Sequence, residues 1–140
     1  MFIFFLEHTV ILYNCRMVNR SRYEGAILAP MVRIGTLPMR LVCLEQGATL
    51  VYSEEIIDHR LIKCQKFERH DWVEWKLTED DNSLFSTCTL EKENVILQLG
   101  TADPKRAVEA AKKVEDYVAG IDVNMGKVAL SGTVPENRYL

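Results

Sequence analysis

Four short apolar runs, separated by stretches with helical spacing, constrain this chain more than any other feature. They are Gly25-Ala-Ile-Leu-Ala-Pro30, Ala48-Thr-Leu-Val-Tyr-Ser53, Val95-Ile-Leu-Gln-Leu99 and Ile121-Asp-Val-Asn124. Each is too short for a buried helix, and nearly continuous apolar character is what a strand covered on both faces requires. Between the first two, Gly35-Thr36 and Pro38 open a helix with Leu37, Leu41 and Leu44 at i, i+4 and i+7, and Gly47 stands where a left-handed cap is wanted. Between the last two, Asp103-Pro104 is an N-cap and first-turn pair. The helix it starts carries Ala107, Ala110, Ala111, Val114 and Val118 on one face, and Gly120 ends it. Strands alternating with helices predict parallel α/β architecture with right-handed crossovers.

The intervening segment reads differently. Residues 56–65 suggest a short amphipathic helix, preceded by Glu54-Glu55. Those two carboxylates either stand near a pocket or start that helix with favourable negative charge, and the second reading is preferred. Trp72, Glu74 and Lys76 then alternate with Val73, Trp75 and Leu77, a polar cluster runs from Thr78 to Ser83, and Leu84-Phe-Ser-Thr-Cys88 returns. That pattern predicts a β-hairpin insertion. After Gly126 the periodicity fails.

With 140 residues, 48% hydrophobic, the chain can build one domain with a real core. A formal charge of −3 neither demands nor excludes a nucleic-acid partner. Cys15, Cys43, Cys64 and Cys88 fit no paired metal-ligand spacing, so no zinc site and no disulfide scaffold is expected, and a reduced compartment, cytoplasmic or nuclear, is. The apolar start Met1–Leu6 is interrupted by Glu7 and His8 and lacks a basic flank, so residues 1–20 read as an N-terminal extension rather than a leader or membrane span. His8, His59 and His70 are expected to face solvent or to be satisfied locally.

Three ordered stretches carry a resemblance. They are Leu28-Ala-Pro-Met-Val-Arg-Ile-Gly-Thr-Leu-Pro-Met-Arg40, Tyr52-Ser-Glu-Glu-Ile-Ile-Asp58, and the span from Val95-Ile-Leu-Gln-Leu-Gly-Thr101 to Gly120-Ile-Asp-Val-Asn-Met-Gly126. Together they resemble the FMN-dependent tRNA dihydrouridine synthases, in particular the eukaryotic tRNA-dihydrouridine(20) type. The resemblance implies a (β/α)₈ TIM barrel, here about four of eight strands with the hairpin insertion, spanning residues 21–126. It implies a flavoprotein oxidoreductase that reduces uridine in the tRNA D-loop with FMN and NADPH. Such barrels keep their chemistry at the carboxyl ends of the strands.

Carried over by position, Pro30, Met31 and Val32 match the family's first flavin-binding corner. Pro30 would otherwise be read as simple strand termination. Gln98 matches the glutamine on the flavin's pyrimidine edge, where an amide supplies both a donor and an acceptor. A glutamine in an apolar strand needs a polar partner in any case, and the neighbouring backbone is an equal alternative. Asn124 matches the asparagine that borders the substrate base. The family's general-acid cysteine would follow Gly126, where this chain has Lys127-Val128. No catalytic residue is therefore assigned. Residues 127–140 are expected to be a non-homologous tail, and the chain a splice variant, truncated gene model or degenerating paralogue, inactive alone. The first and fourth strands are expected to have open edges that favour self-association.

Overall fold

The computed structural model describes residues 2–6, 9–13 and 24–124, the first two segments by their backbone. The main sheet contains β1 (Phe2–Leu6), β2 (Thr9–Tyr13), β3 (Ile27–Leu28), β4 (Leu50–Ile57), β8 (Val95–Gly100) and β9 (Gly120–Asn124), in the order β1-β2-β9-β8-β4-β3. The four strands β3, β4, β8 and β9 are parallel to one another, as the alternating pattern requires. Helix α1 (Leu37–Glu45) connects β3 to β4, and α3 (Pro104–Lys112) connects β8 to β9. The fold is mixed α/β with a parallel sheet.

The apolar core follows from strand alternation. Val95, Leu97 and Leu99 of β8 are fully buried against Ala107, Ala110, Val114 and Val118 on and after α3. The α3 start is fixed as its residues predict: Asp103 Oδ1 accepts from the backbone N–H of Lys105 at 2.8 Å and of Arg106 at 3.1 Å.

Between β4 and β8 the chain makes α2 (Asp58–Lys63) and a second, antiparallel sheet of β5 (Gln65–Arg69), β6 (Trp72–Lys76) and β7 (Phe85–Cys88). The expected hairpin is thus β6–β7, extended by β5, whose register pairs Phe67 with Glu74. Gln65, the first residue of β5, lies within the stretch 56–65 expected to be helical, whereas α2 ends at Lys63. Trp75 ties this small sheet to the core, with its ring 5.4 Å from that of Phe85 and edge-on to Tyr117 at 5.3 Å. Arg40 of α1 lies over the Phe85 ring at 5.5 Å.

Two expectations need correction. Glu54-Glu55 do not start a helix: β4 runs through both to Ile57, and α2 begins at Asp58. The fourth parallel strand is not an open edge either. β2 pairs antiparallel with β9, with Val10 opposite Val123, so part of the N-terminal extension satisfies that edge and leaves β3 and β1 at the sheet's borders. Among the described residues, no helix is long and apolar enough to cross a membrane. The tail expected at 127–140, including Lys127 and Val128, lies outside the described residues.

Candidate functional site

The site is shaped by a bulge in β4. Val51 and Tyr52 pair with Val95 and Ile96, but Glu55 pairs with Gln98, so Ser53 and Glu54 together face the single residue Leu97. An extra residue shifts the alternation by one, which turns Glu55 onto the face opposite the helices and returns Ile56 to the core. Ser53 closes the bulge. Its Oγ accepts the Gln98 backbone N–H at 3.0 Å and donates to Glu54 O at 2.7 Å.

On that face Glu55, Gln98 and Asp122 stand in one row across three strands, and Ile57, Gly100 and Asn124 stand in the next. Two amides and two carboxylates meet there. Gln98 Nε2 donates to Asp122 Oδ2 at 2.8 Å, and Asn124 Nδ2 donates to Glu55 Oε1 at 3.1 Å. Gly100 makes the second contact geometrically feasible: a Cβ there would lie 2.5 Å from Glu55 Oε1 and 2.9 Å from Ile57 Cδ1. The bond partner of Gln98 is therefore a side chain on the next strand, not the neighbouring backbone.

Burial dominates the electrostatics. Asp122 is 3% exposed, its Oδ1 is buried without a hydrogen-bond partner among the described residues, and burial pushes its carboxyl above the ordinary range, offset in part by the Gln98 bond. Glu55 is also raised, first by burial, against the lowering effect of Asn124 and with a further push from the Asp122 charge. An acid held more tightly protonated when folded adds stability below its unfolded pKa, near 3.8 for Asp122, and that stability is lost as pH rises through the raised value. Asp122→Asn is accordingly expected to be more stable than the parent by about 1 kcal/mol at pH 7. The difference should vanish below about pH 4, as read from urea midpoints at both pH values.

The corner Pro30-Met31-Val32 follows β3 directly. Pro30 is half-buried, Met31 and Val32 are exposed, and Met31 O accepts from Gly35 N–H at 3.0 Å to close a turn. The Arg33 N–H, at a residue with φ 64°, donates to Glu54 Oε1, which fastens the corner to the bulged end of β4. The structure thus brings Gln98 and Asn124 onto one face and attaches the corner to the adjacent strand end. Asp122 and Glu55 are the site residues that sequence reasoning missed or set aside. A carboxylate two residues before Asn124, in phase with it on a strand, was the available signal for Asp122.

Beside this face, Asp58 accepts from Thr101 Oγ1 at 2.7 Å, Arg106 Nε at 2.9 Å and the His59 N–H at 2.5 Å. Burial pushes Asp58 up, but these bonds outweigh it and hold the carboxyl below its usual range. This cluster joins the ends of β4 and β8. Both described histidines, His59 and His70, are exposed. No group of three or more His, Cys, Asp or Glu side chains suited to a metal ion occurs among the described residues.

Parallel strands with polar side chains gathered toward their carboxyl ends define an α/β protein of the kind that binds ligands at strand ends. The chain belongs to the dihydrouridine synthase (Dus) family, whose model matches residues 27–127. It is 46% identical over 104 residues to the tRNA-dihydrouridine(20) synthase [NAD(P)+] of Schizosaccharomyces pombe, covering 71% of this chain and 22% of that protein. To the tRNA-dihydrouridine(20) synthase [NAD(P)+] of Saccharomyces cerevisiae it is 44% identical over 113 residues, covering 74% of this chain and 29% of that protein. A tRNA-dihydrouridine(16/17) synthase of S. pombe is 36% identical over 109 residues, 77% of this chain and 24% of that protein, so the likeness favours the (20) type. The chain spans between a fifth and a third of the length of these curated relatives.

Proposed function

We propose that this chain carries the first flavin-contacting strands of a tRNA dihydrouridine synthase, an oxidoreductase that reduces uridine in the tRNA D-loop using FMN and NADPH. The observation that supports it most is the cluster of Gln98, Asp122, Glu55 and Asn124 over two adjacent rows of one sheet face, held by the Ser53 bulge. On this reading β3, β4, β8 and β9 are the first four strands of a (β/α)₈ barrel, and the face opposite the helices is its interior. The residues fit an aromatic, hydrogen-bonding ring. Gln98 offers an amide, and Asp122 Oδ1 has no hydrogen-bond donor among the described residues.

When bound, FMN supplies the hydride chemistry that protein side chains lack. Gln98 holds the ring's polar edge, the backbone of Pro30, Met31 and Val32 meets its rim, and Asn124 borders the substrate base. NAD(P) appears in the names of the curated relatives, in keeping with NADPH as reductant. The proton is a separate matter. Lys127 occupies the position after Gly126 where the family has its acid cysteine, so this chain has no thiol there to protonate the base.

The reading therefore predicts that the chain alone forms no dihydrouridine. tRNA incubated with the purified polypeptide, FMN and NADPH, digested and examined by mass spectrometry, should show only uridine. Dihydrouridine above the enzyme-free control would contradict the assignment of inactivity. Weak flavin binding is part of the same proposal, as is self-association along the free side of β3, whose outer backbone groups can template another strand.

A further inference from the structure

Gln98 can present either end of its amide to a ligand, and its sequence does not decide which. The surroundings do. One N–H is given to Asp122 Oδ2 at 2.8 Å, and Asp122 is almost wholly buried with no donor among the described residues reaching its second oxygen. Turning the amide over would set Gln98 Oε1 against a carboxylate oxygen and leave both Asp122 oxygens unpartnered, at the cost of a charge-assisted hydrogen bond. The Gln98 backbone is pinned as well, by its N–H to Ser53 Oγ. The neighbouring amide obeys the same logic, since Asn124 Nδ2 is given to the Glu55 carboxylate.

We propose that Asp122 is a positioning residue that fixes the polarity of the Gln98 amide, so that the carbonyl Oε1 is the group held out to a ligand and the site prefers a ring N–H over a ring position that cannot donate. For the identity of the ligand the proposal rests on the flavin reading, in which the donor is an imide N–H; for the orientation itself it rests on Asp122 alone.

The test uses the full 140-residue chain, uniformly labelled with ¹⁵N. In the parent, one proton of the Gln98 side-chain NH₂ should be shifted downfield and protected from solvent exchange. Asp122→Leu, close to isosteric and without an acceptor, should abolish both effects. Asp122→Asn, which keeps an oxygen but no charge, should weaken without abolishing them. In a parallel titration followed by flavin fluorescence, the parent should bind FMN about 10-fold more tightly than N3-methyl-FMN, the size of one charge-oriented hydrogen bond. In Asp122→Leu the preference should shrink to within about 2-fold. An unchanged Gln98 signal in Asp122→Leu, or an undiminished preference for FMN, overturns the proposal. If Asp122→Leu does not fold, an unchanged signal in Asp122→Asn does the same. If the parent binds no FMN while the Gln98 signature responds to Asp122 as described, the flavin reading falls and the orientation stands.

Discussion

Arg40→Met should destabilise the chain by about 3–5 kcal/mol, the cost of leaving one member of a buried ion pair alone. Arg40 and Glu91 are 2% and 0% exposed, with Arg40 Nη2 2.6 Å from Glu91 Oε1 and Nε 2.9 Å from Oε2. Two further guanidinium hydrogens go to Gly35 O and Ser86 O, both at 2.6 Å, and Thr87 Oγ1 also donates to Glu91 at 2.8 Å. One residue thereby joins α1, the turn before it and the small antiparallel sheet. Methionine fills much of the same volume, so the loss would come from the stranded carboxylate rather than from a cavity. Urea unfolding should show a large fall in midpoint, and the double substitution Arg40→Met with Glu91→Leu should recover most of it, because no charge is then left buried. A single variant as stable as the parent would show that the Arg40–Glu91 pair does not hold the small sheet to α1.

The second large effect is expected at Gly35, where alanine should cost about 1–3 kcal/mol by overpacking. A Cβ on Gly35 would lie 2.7 Å from Glu54 N, 2.8 Å from Ser53 C and 2.9 Å from Tyr52 O. All three are backbone atoms of β4 at or next to the bulge, so no side-chain rotation can relieve the overlap. The turn carrying Pro30, Met31 and Val32 would have to move away from β4, and the Arg33 N–H would lose its bond to Glu54. Gly35→Ala should therefore lower the thermal midpoint and also weaken any ligand that spans the corner and Gln98. A variant that melts with the parent would show that the turn does not pack on the bulge.

How much of this was legible in the sequence depends on the range of each interaction. Val95–Leu99 reads as a buried strand because its apolar run is its own evidence, and Asp103-Pro104 marks a helix start because a cap acts within three residues. Glu54-Glu55 were misread because the bulge that keeps them in a strand depends on Ser53 meeting the Gln98 backbone 45 positions on. Nothing local to Arg40 marks it for burial, because the carboxylate that pairs with it, Glu91, is 51 residues away. Asp122 sat beside the residue singled out, but its role comes from a partner 24 positions earlier. The cover on β9 was missed for the same reason, since nothing within Thr9–Tyr13 says which strand it will meet. Gln98 and Asn124 were found by resemblance, and the structure adds that they lie on one face with carboxylates beside them.

The central claim is that Met31 and Gln98 contact a single flavin ring with Asn124 beside it at the substrate position, and an FMN titration followed by ¹⁵N–¹H correlation spectra tests it most directly. Weak binding, on the order of −4 kcal/mol or a millimolar dissociation constant, suffices for such spectra. The account predicts that the backbone signals of Met31 and Val32 and the side-chain amides of Gln98 and Asn124 shift along one common binding curve, while those of the small sheet, such as Val73 and Thr87, stay in place. Shifts confined to other parts of the chain, or no shift at saturating FMN in a folded protein, would contradict it.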